Sequence, residues 1–458
     1  MPRLPAATVA VLLTIVAGML AAPHALAAAP ARAPGQLVVK FREGTSPEAR
    51  SAIRAAAGVR VSAIISGHSQ RVEVLGETGV DDAQERLRAN PSVEYVHPDY
   101  VARATAFYPN DPGFGGAGGW SGTQWNFVDP YGIRAPDAWQ NAINAGFPGG
   151  KGVVVAVLDT GVAYRTDHKR HYRRAPDLAS SRFVRGRDFV RRNNRPYDRN
   201  GHGTFVTGTI AQKTNNGFGV TGIAYQSLIM PIRVLDYEGK GDVATIARGI
   251  RFAARRGARV INMSFEFDIG LRASQIPDVM SAIRYAHRKG AVLVAAAGNA
   301  EDTRVAYPAL ATHVIAVGAT TEHGCLAEYS NTGTGLDLVA PGGGADASVQ
   351  GDPNCRPYED PGRFVFQYTF SGSSFVRFGL PAGYEGTSMS VPHVSGTIAL
   401  LIGERLLGSR PTPQAILDRL IATARDLGSP GYDHIYGWGL IDAAAATAPP
   451  APPPPPPA

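Results

Sequence analysis

The sequence predicts an α/β fold, a mostly parallel sheet flanked by helices, preceded by a small α+β unit. Three observations predict it. Short, largely apolar runs at 153–158, 228–234, 260–263, 291–296 and 314–317 alternate with helical patterns at 204–211, 242–255, 275–289 and 387–403. Strands apolar on both faces and separated by helices belong to a buried parallel sheet. Before them, residues 36–96 alternate short strands with two amphipathic segments. Finally, a chain of 458 residues with 44% apolar content is long enough for two or three domains and a large core.

Residues 1–27 carry the pattern of an export signal, with Arg3 at the start, an apolar run, and Ala25-Leu26-Ala27 as a cleavage site. No twin arginine precedes the apolar run, which predicts the general secretory route. The low charged content (18%) suits a secreted protein, and no later segment is long and apolar enough to span a membrane. Within 28–104 the order is strand 36–41, a helix opened by Ser46-Pro47-Glu48 and running to 57, strands 60–65 and 71–75, helix 81–89 and strand 93–96. That β-α-β-β-α-β order is the split, ferredoxin-like pattern. Residues 105–122 are glycine-rich and irregular, as a linker or processing region would be. The α/β domain is expected over 105–447, where Pro411-Thr412-Pro413 opens a last helix, and the proline-rich tail 448–458 should be extended.

The net charge of +7 is concentrated at 165–199, where 12 Lys or Arg face 4 acidic residues. A solvated basic loop is the simplest reading, and attraction to an anionic envelope or an acidic substrate the sharper one. The stretch lacks the aromatic interleaving and motifs of nucleic-acid binding, so no nucleic acid is expected as partner. Two cysteines, Cys325 and Cys355, have no metal-site spacing. Export favours a disulfide between them, and two separate buried thiols are the alternative.

Three short motifs supply an Asp, a His and a Ser in that order: Leu158-Asp159-Thr160-Gly161, Asn200-Gly201-His202-Gly203-Thr204 and Gly386-Thr387-Ser388-Met389-Ser390. A serine hydroxyl needs a base to take its proton, and the base needs a carboxylate to fix its tautomer. Asp159 ends a predicted buried strand, where open α/β sheets place their active groups. Asp-Thr-Gly also occurs in aspartic peptidases, but those need two such motifs or a dimer, and here there is one. His202 and Ser388 each begin a predicted helix, and a helix N-terminus favours developing negative charge. Ser390 stands where the nucleophile elbow of an α/β-hydrolase requires glycine, which disfavours an esterase. Asn299, closing Ala297-Gly298-Asn299 after a buried strand, can donate to an oxyanion.

Together these motifs resemble the subtilisin-like serine peptidases, or subtilases, over roughly residues 34–447. The resemblance implies a subtilisin-like fold, a triad of Asp159, His202 and Ser388, and Asn299 as oxyanion donor beside the Ser388 N–H. It implies a secreted, self-processing endopeptidase that is a monomer and acts on polypeptides. The amino-terminal unit would be an inhibitory propeptide, with 97–104 entering the cleft and cleavage between about Arg103 and Tyr108. Substrate would add as a strand between Gly239-Lys240-Gly241 and Ser264-Phe265-Glu266. Glu266 stands where the family usually has glycine and would favour a basic or polar side chain, unless it is only an exposed rim residue. Ala300 replaces a frequent acid, and Phe205 a second histidine without catalytic role. As in thermitase-like members, a calcium ion is implied, held by side-chain oxygens of Asp111, Asp177 and Asn216 and by carbonyls of Lys213, Phe218 and Val220. The rival is a binding protein on the same fold with no activity.

Overall fold

The computed structural model describes residues 32–76, 79–100, 107–179, 182–359, 361–372 and 374–449. The predicted export signal, residues 103–106 of the expected cleavage range and most of the proline-rich tail lie outside these residues, whereas 107–122 of the expected linker is described. The chain divides into two compact units, Met1–Ala104 and Thr105–Ala458.

The first unit runs β1 (Arg32–Phe41), α1 (Pro47–Ala56), β2 (Val59–Ile64), β3 (Ser69–Val74), α2 (Val80–Arg88) and β4 (Val93–Tyr100), matching the predicted order. Its strands pair antiparallel in the order β2-β3-β1-β4. Ser46 caps α1 by accepting the Ala49 N–H, which satisfies one of the unpaired donors of a helix start. Leu37, Val39 and Phe41 of β1 pack with Val72 and Leu87 in its core.

The second unit opens with α3 (Trp120–Thr123) and α4 (Ala135–Asn144), followed by β5 (Val154–Asp159), β6 (Arg187–Asp188), α5 (His202–Ala211), β7 (Leu228–Arg233) and α6 (Val243–Arg255). Then come β8 (Val260–Met263), α7 (Pro277–Arg288), β9 (Val292–Ala296), β10 (Val314–Thr320), β11 (Leu338–Pro341), α8 (Thr387–Glu404), α9 (Pro413–Thr423) and α10 (Ala443–Thr447). Seven strands form one sheet in the order β11-β10-β9-β8-β5-β7-β6, each pair parallel. Successive side chains of a strand face opposite ways. Val155 and Val157 therefore join the core with Phe205 of α5 and Ile398 of α8. Ala156 and Leu158 join the other core, with Ile250 of α6 and Ile283 of α7. Two buried faces explain the largely apolar runs, with Arg233 and Asn262 as buried polar exceptions.

The chain reverses its direction of growth across the sheet between β5 and β8. Crevices at such switch points, outside the carboxyl ends of the strands, are where open α/β sheets bind ligands. Asp159 ends β5, and Ser264 directly follows β8.

Cys325 and Cys355 form a disulfide across 30 residues, resolving the alternative of two thiols. The basic 165–199 stretch contains aromatic side chains, but they turn inward. Tyr172 and Tyr197 are buried and stacked 4.5 Å apart, and Arg199 lies over Tyr172.

Candidate active site

Asp159 is fully buried at the end of β5, and its Oδ1 accepts the Thr160 N–H (2.7 Å) and the His202 Nδ1–H (2.8 Å). The nitrogen assignment follows from this network, because only a protonated Nδ1 can donate to the carboxylate. His202 is the first residue of α5, and Gly203 lets that helix start approach the strand. A Cβ there would sit 2.1 Å from the Gly161 carbonyl and 3.0 Å from Asp159 Oδ1. Burial disfavours the imidazolium of His202, but the charge and hydrogen bond of Asp159, with Asp198 beyond, outweigh it and hold the ring above the ordinary histidine value. Asp159 thus favours a protonated ring, as a base about to take a proton requires.

Asp198 organises this turn, and the sequence reading missed it. Buried, it accepts from Thr160 Oγ1 (2.9 Å), Asn200 N (2.8 Å), Gly201 N (3.0 Å), Thr204 N (3.0 Å) and Thr204 Oγ1 (2.6 Å). The signal was an Asp four residues before a helix-opening histidine, the spacing of a turn that feeds a helix start.

Ser388 lies in the first turn of α8, with its backbone N–H donating to no acceptor among the described residues. Pro392 is the sixth residue of this helix, deeper than the first turn expected for a helix proline. Proline has no N–H, so the Ser388 carbonyl loses its intrahelical partner. Ser264 Oγ donates to that carbonyl instead (2.9 Å). In return Ser388 Oγ donates to the Ser264 carbonyl (3.1 Å). The expected hydroxyl contact with His202 is therefore not made in this resting arrangement. A hydroxyl turns to an acceptor within its reach, and catalytic hydrogen bonds commonly tighten only with substrate bound.

Asn299 follows β9 by a turn. Gly298 has φ 119°, and a Cβ there would meet the Asn331 amide nitrogen at 2.1 Å. Asn331, buried and also unread in the sequence, accepts from Ala300 N (2.9 Å) and Asp302 N (3.1 Å) and so fixes the turn. Asn299 Oδ1 accepts from Thr387 N (2.7 Å) and Thr387 Oγ1 (3.0 Å) at the start of α8. Its Nδ2 donates to Glu266 Oε2 (3.2 Å), and its backbone N–H to Glu266 Oε1 (3.3 Å). Glu266 is thus more than a free rim residue. Desolvation beside Asn299 raises the pKa of its carboxyl even though the residue is exposed, and the hydrogen bond from the Asn299 N–H opposes the rise.

His202, Ser388 and Asn299 line one cleft of about 380 Å³. Gly239 and the Ser264, Phe265 and Glu266 side of the predicted substrate strand line it too. Lys240 and Gly241 do not; they line a neighbouring, larger cavity with Arg192, Arg248 and Arg251. Phe205 is buried and stacks on Tyr384, with ring centroids 4.2 Å apart, as a packing residue.

The profile of the subtilase family matches residues 150–439. The chain belongs to the subtilase family. A second profile, that of the fervidolysin N-terminal prodomain, matches residues 22–99. The chain is 32% identical over 370 residues to a thermophilic serine proteinase of Bacillus sp. (strain AK1), covering 81% of this chain and 78% of that one. It is 35% identical over 298 residues to thermitase of Thermoactinomyces vulgaris, covering 65% and 86%. A solved protease structure from Pseudoalteromonas arctica PAMC 21717 is similar with a TM-score of 0.59 at 31% identity, covering 74% of this chain and 99% of that chain. The protein is a secreted, subtilisin-like serine endopeptidase with an amino-terminal prodomain.

The residues expected to hold calcium in this subtilase come together. Asp111 and Asp177 are both fully buried against the 213–220 loop. Asp111 accepts the N–H of Asn215 (2.7 Å) and of Asn216 (3.0 Å). Asp177 accepts from Gln212 Nε2 (2.9 Å), Asn216 Nδ2 (2.8 Å) and Val220 N (3.3 Å). Burial pushes the Asp177 carboxyl up to about 7, with the Asp111 charge adding to it. The carbonyls of Lys213, Phe218 and Val220 accept no hydrogen bond among the described residues. One detail differs from the expectation: Asn216 presents Nδ2 to Asp177, while its oxygen accepts the Phe218 N–H (3.1 Å). No three His, Cys, Asp or Glu side chains cluster among the described residues. Two carboxylates plus free carbonyl oxygens fit a hard, oxygen-seeking cation.

Proposed function

We propose that Ser388, His202 and Asp159 hydrolyse peptide bonds by acyl transfer, with Asn299 Nδ2 and the Ser388 N–H receiving the oxyanion. The observation that carries this reading is the 2.8 Å His202–Asp159 bond beside a cleft that also holds Ser388 and Asn299. The Ser388 hydroxyl leaves the Ser264 carbonyl and gives its proton to His202 Nε2 as Oγ bonds the scissile carbonyl carbon. The oxyanion forms, and Asp159 stabilises the imidazolium. As the C–N bond breaks, His202 protonates the departing amine, leaving an acyl ester on Ser388. Water, deprotonated by His202, attacks that ester, and the proton returns to Ser388 as the acid leaves. Each oxyanion donor is worth roughly 3 kcal/mol of barrier.

Substrate pairs as an added strand against Gly239-Lys240-Gly241 and Ser264-Phe265-Glu266, so main chain contributes much of the recognition. The amino-terminal unit inhibits the peptidase domain and is cut off between about Arg103 and Tyr108. Export uses the general secretory route, as the residues 1–27 suggest, and the mature enzyme, spanning 105–447 ahead of the tail, is a monomer. Calcium binds at Asp111, Asp177, Asn216 and the Lys213, Phe218 and Val220 carbonyls, where it would tie the arm at Asp111 to the 213–220 loop without touching the reacting atoms.

Labelling with a fluorophosphonate, followed by casein digestion, tests the peptidase reading. The intact enzyme should label and digest, while Ser388→Ala should do neither and should leave the precursor uncut. Digestion or self-processing by pure Ser388→Ala would overturn it.

A further inference from the structure

We propose that Glu266 is a cover on the oxyanion donor, one that a basic side chain of the substrate pulls away. The inference rests on Asn299 being that donor. Glu266 meets Asn299 twice, at Nδ2 (3.2 Å) and at the backbone N–H (3.3 Å). The amide cannot turn aside to free Nδ2, because Thr387 holds its oxygen through both N (2.7 Å) and Oγ1 (3.0 Å). Of the two proposed donors, then, the Ser388 N–H is open, while one of the two N–H bonds of the Asn299 amide is spent on Glu266.

The backbone below Glu266 is fixed. Ser264 is clasped to Ser388, and Phe265 is buried. The side chain of Glu266 is the part free to move, since the residue itself is solvent-exposed. Its carboxylate also carries the same charge as the oxyanion, so while it stays on Nδ2 it opposes the charge that the second N–H would receive, and its departure strengthens that donor. A site competent in only a fraction of molecules works at that fraction of its rate. Removing an oxyanion donor outright costs on the order of 10²- to 10³-fold, which sets the ceiling on what the cover can withhold.

A cation can release it. A Lys or Arg side chain bound in the cleft offers the carboxylate an opposite charge in place of a neutral amide, adding coulombic attraction to a hydrogen bond whose acceptor is charged in either case. The uncovered Nδ2 is then ready for the oxyanion. Specificity of this kind appears in kcat, because binding energy from the correct side chain assembles the site. An ordinary charged pocket would express it mainly in KM.

The test uses mature enzyme and peptides that differ only at the residue preceding the scissile bond, Arg against Leu, with kcat and KM measured separately. Fluorophosphonate titration counts the active sites and shows that each variant is folded and has a working Ser388. The intact enzyme should favour Arg by about tenfold or more in kcat. Glu266→Gly should raise kcat for the Leu peptide about tenfold and abolish the preference. Glu266→Gln keeps a neutral acceptor for Asn299 and cannot pair with a cation; it should lose the preference while leaving the Leu peptide slower than Glu266→Gly does. In an Asn299→Ala background, Glu266→Gly should give no gain. If Glu266→Gly leaves kcat for the Leu peptide unchanged while active sites still titrate, the cover is refuted and the peptidase reading stands. If the gain survives in Asn299→Ala, the effect does not pass through Asn299 and the proposal fails.

Discussion

Ser264→Ala removes one hydroxyl and strands two polar groups. Ser264 Oγ donates to the Ser388 carbonyl at 2.9 Å and accepts from Asn262 Nδ2 at 3.0 Å, and Asn262 Oδ1 in turn accepts from Ser395 Oγ at 2.9 Å. Asn262, Ser264 and Ser395 are essentially inaccessible to water. An unpaired buried polar group costs about 1–3 kcal/mol, so two of them predict a loss of about 3 kcal/mol. Pro392→Ala gives back an N–H four residues after Ser388, where a regular helix would use it. In that background the cost of Ser264→Ala should fall by about 1 kcal/mol, one net hydrogen bond. The assay is unfolding rate in guanidinium chloride, followed by tryptophan fluorescence in Ser388→Ala, which stops self-digestion and keeps the carbonyl. If the network breaks before the unfolding barrier, Ser264→Ala should unfold about a hundredfold faster. A change under about threefold, or equal penalties with and without Pro392, would refute the idea that Ser264 stands in for the missing helix bond.

Two further predictions concern pH and metal. His393 is fully buried, accepting from Asn126 Nδ2 (2.8 Å) and donating Nδ1–H to Met389 O (2.8 Å), and burial pushes it down to about 4. The unfolded chain binds the proton near pH 6.5 and the folded one only near 4, so stability is full above 6.5 and falls by roughly 3 kcal/mol as pH drops through 4. His393→Gln should flatten melting temperature against pH in that window, and an unchanged slope would assign the acid loss elsewhere. Chelation should lower the melting temperature, since calcium at a hundred times its Kd adds about 2.7 kcal/mol. Asp177→Asn should shrink that shift, and no shift in the intact enzyme would argue against the ion.

Much of this was legible because it rests on burial with a fixed period. The runs at 153–158 and 260–263 had to be strands buried on both sides, and the motif residues then fell at their carboxyl ends. Elements without such a signal were missed. β6 is two residues long inside the basic stretch, and β11 is a four-residue run after a glycine-rich loop. Helix α4 starts after Arg134 with φ 59° and no side-chain cap, so Pro136 and Asp137 in its first turn were the markers left to find, and they were passed over. Helix α10 is four alanines and a threonine next to a proline tail, where composition resembled a linker, although Asp442 caps it. In the site, residue identities were readable and their present partners were not. Whether Ser388 meets His202 or Ser264, and whether Asn299 is free or held by Glu266, depends on rotamers chosen among competing acceptors.

The residues that hold this site share a device. Helix starts leave backbone N–H groups unpaired, and a proline inside a helix frees a carbonyl. Such groups are costly when buried without a partner. Here Asp198 takes the N–H groups opening α5, Asn299 takes that of Thr387 at the start of α8, and Ser264 takes the carbonyl released by Pro392. Each repair also fixes a reacting group: the His202 turn, the Asn299 amide, and the backbone of Ser388. The Ser388 N–H is left without such a repair among the described residues. An unpaired donor at a helix start is a place where negative charge is favoured, and it lies beside the hydroxyl from which the oxyanion chemistry would begin. Stability and catalysis therefore compete for the same backbone groups, and removing a repairing side chain should damage both together.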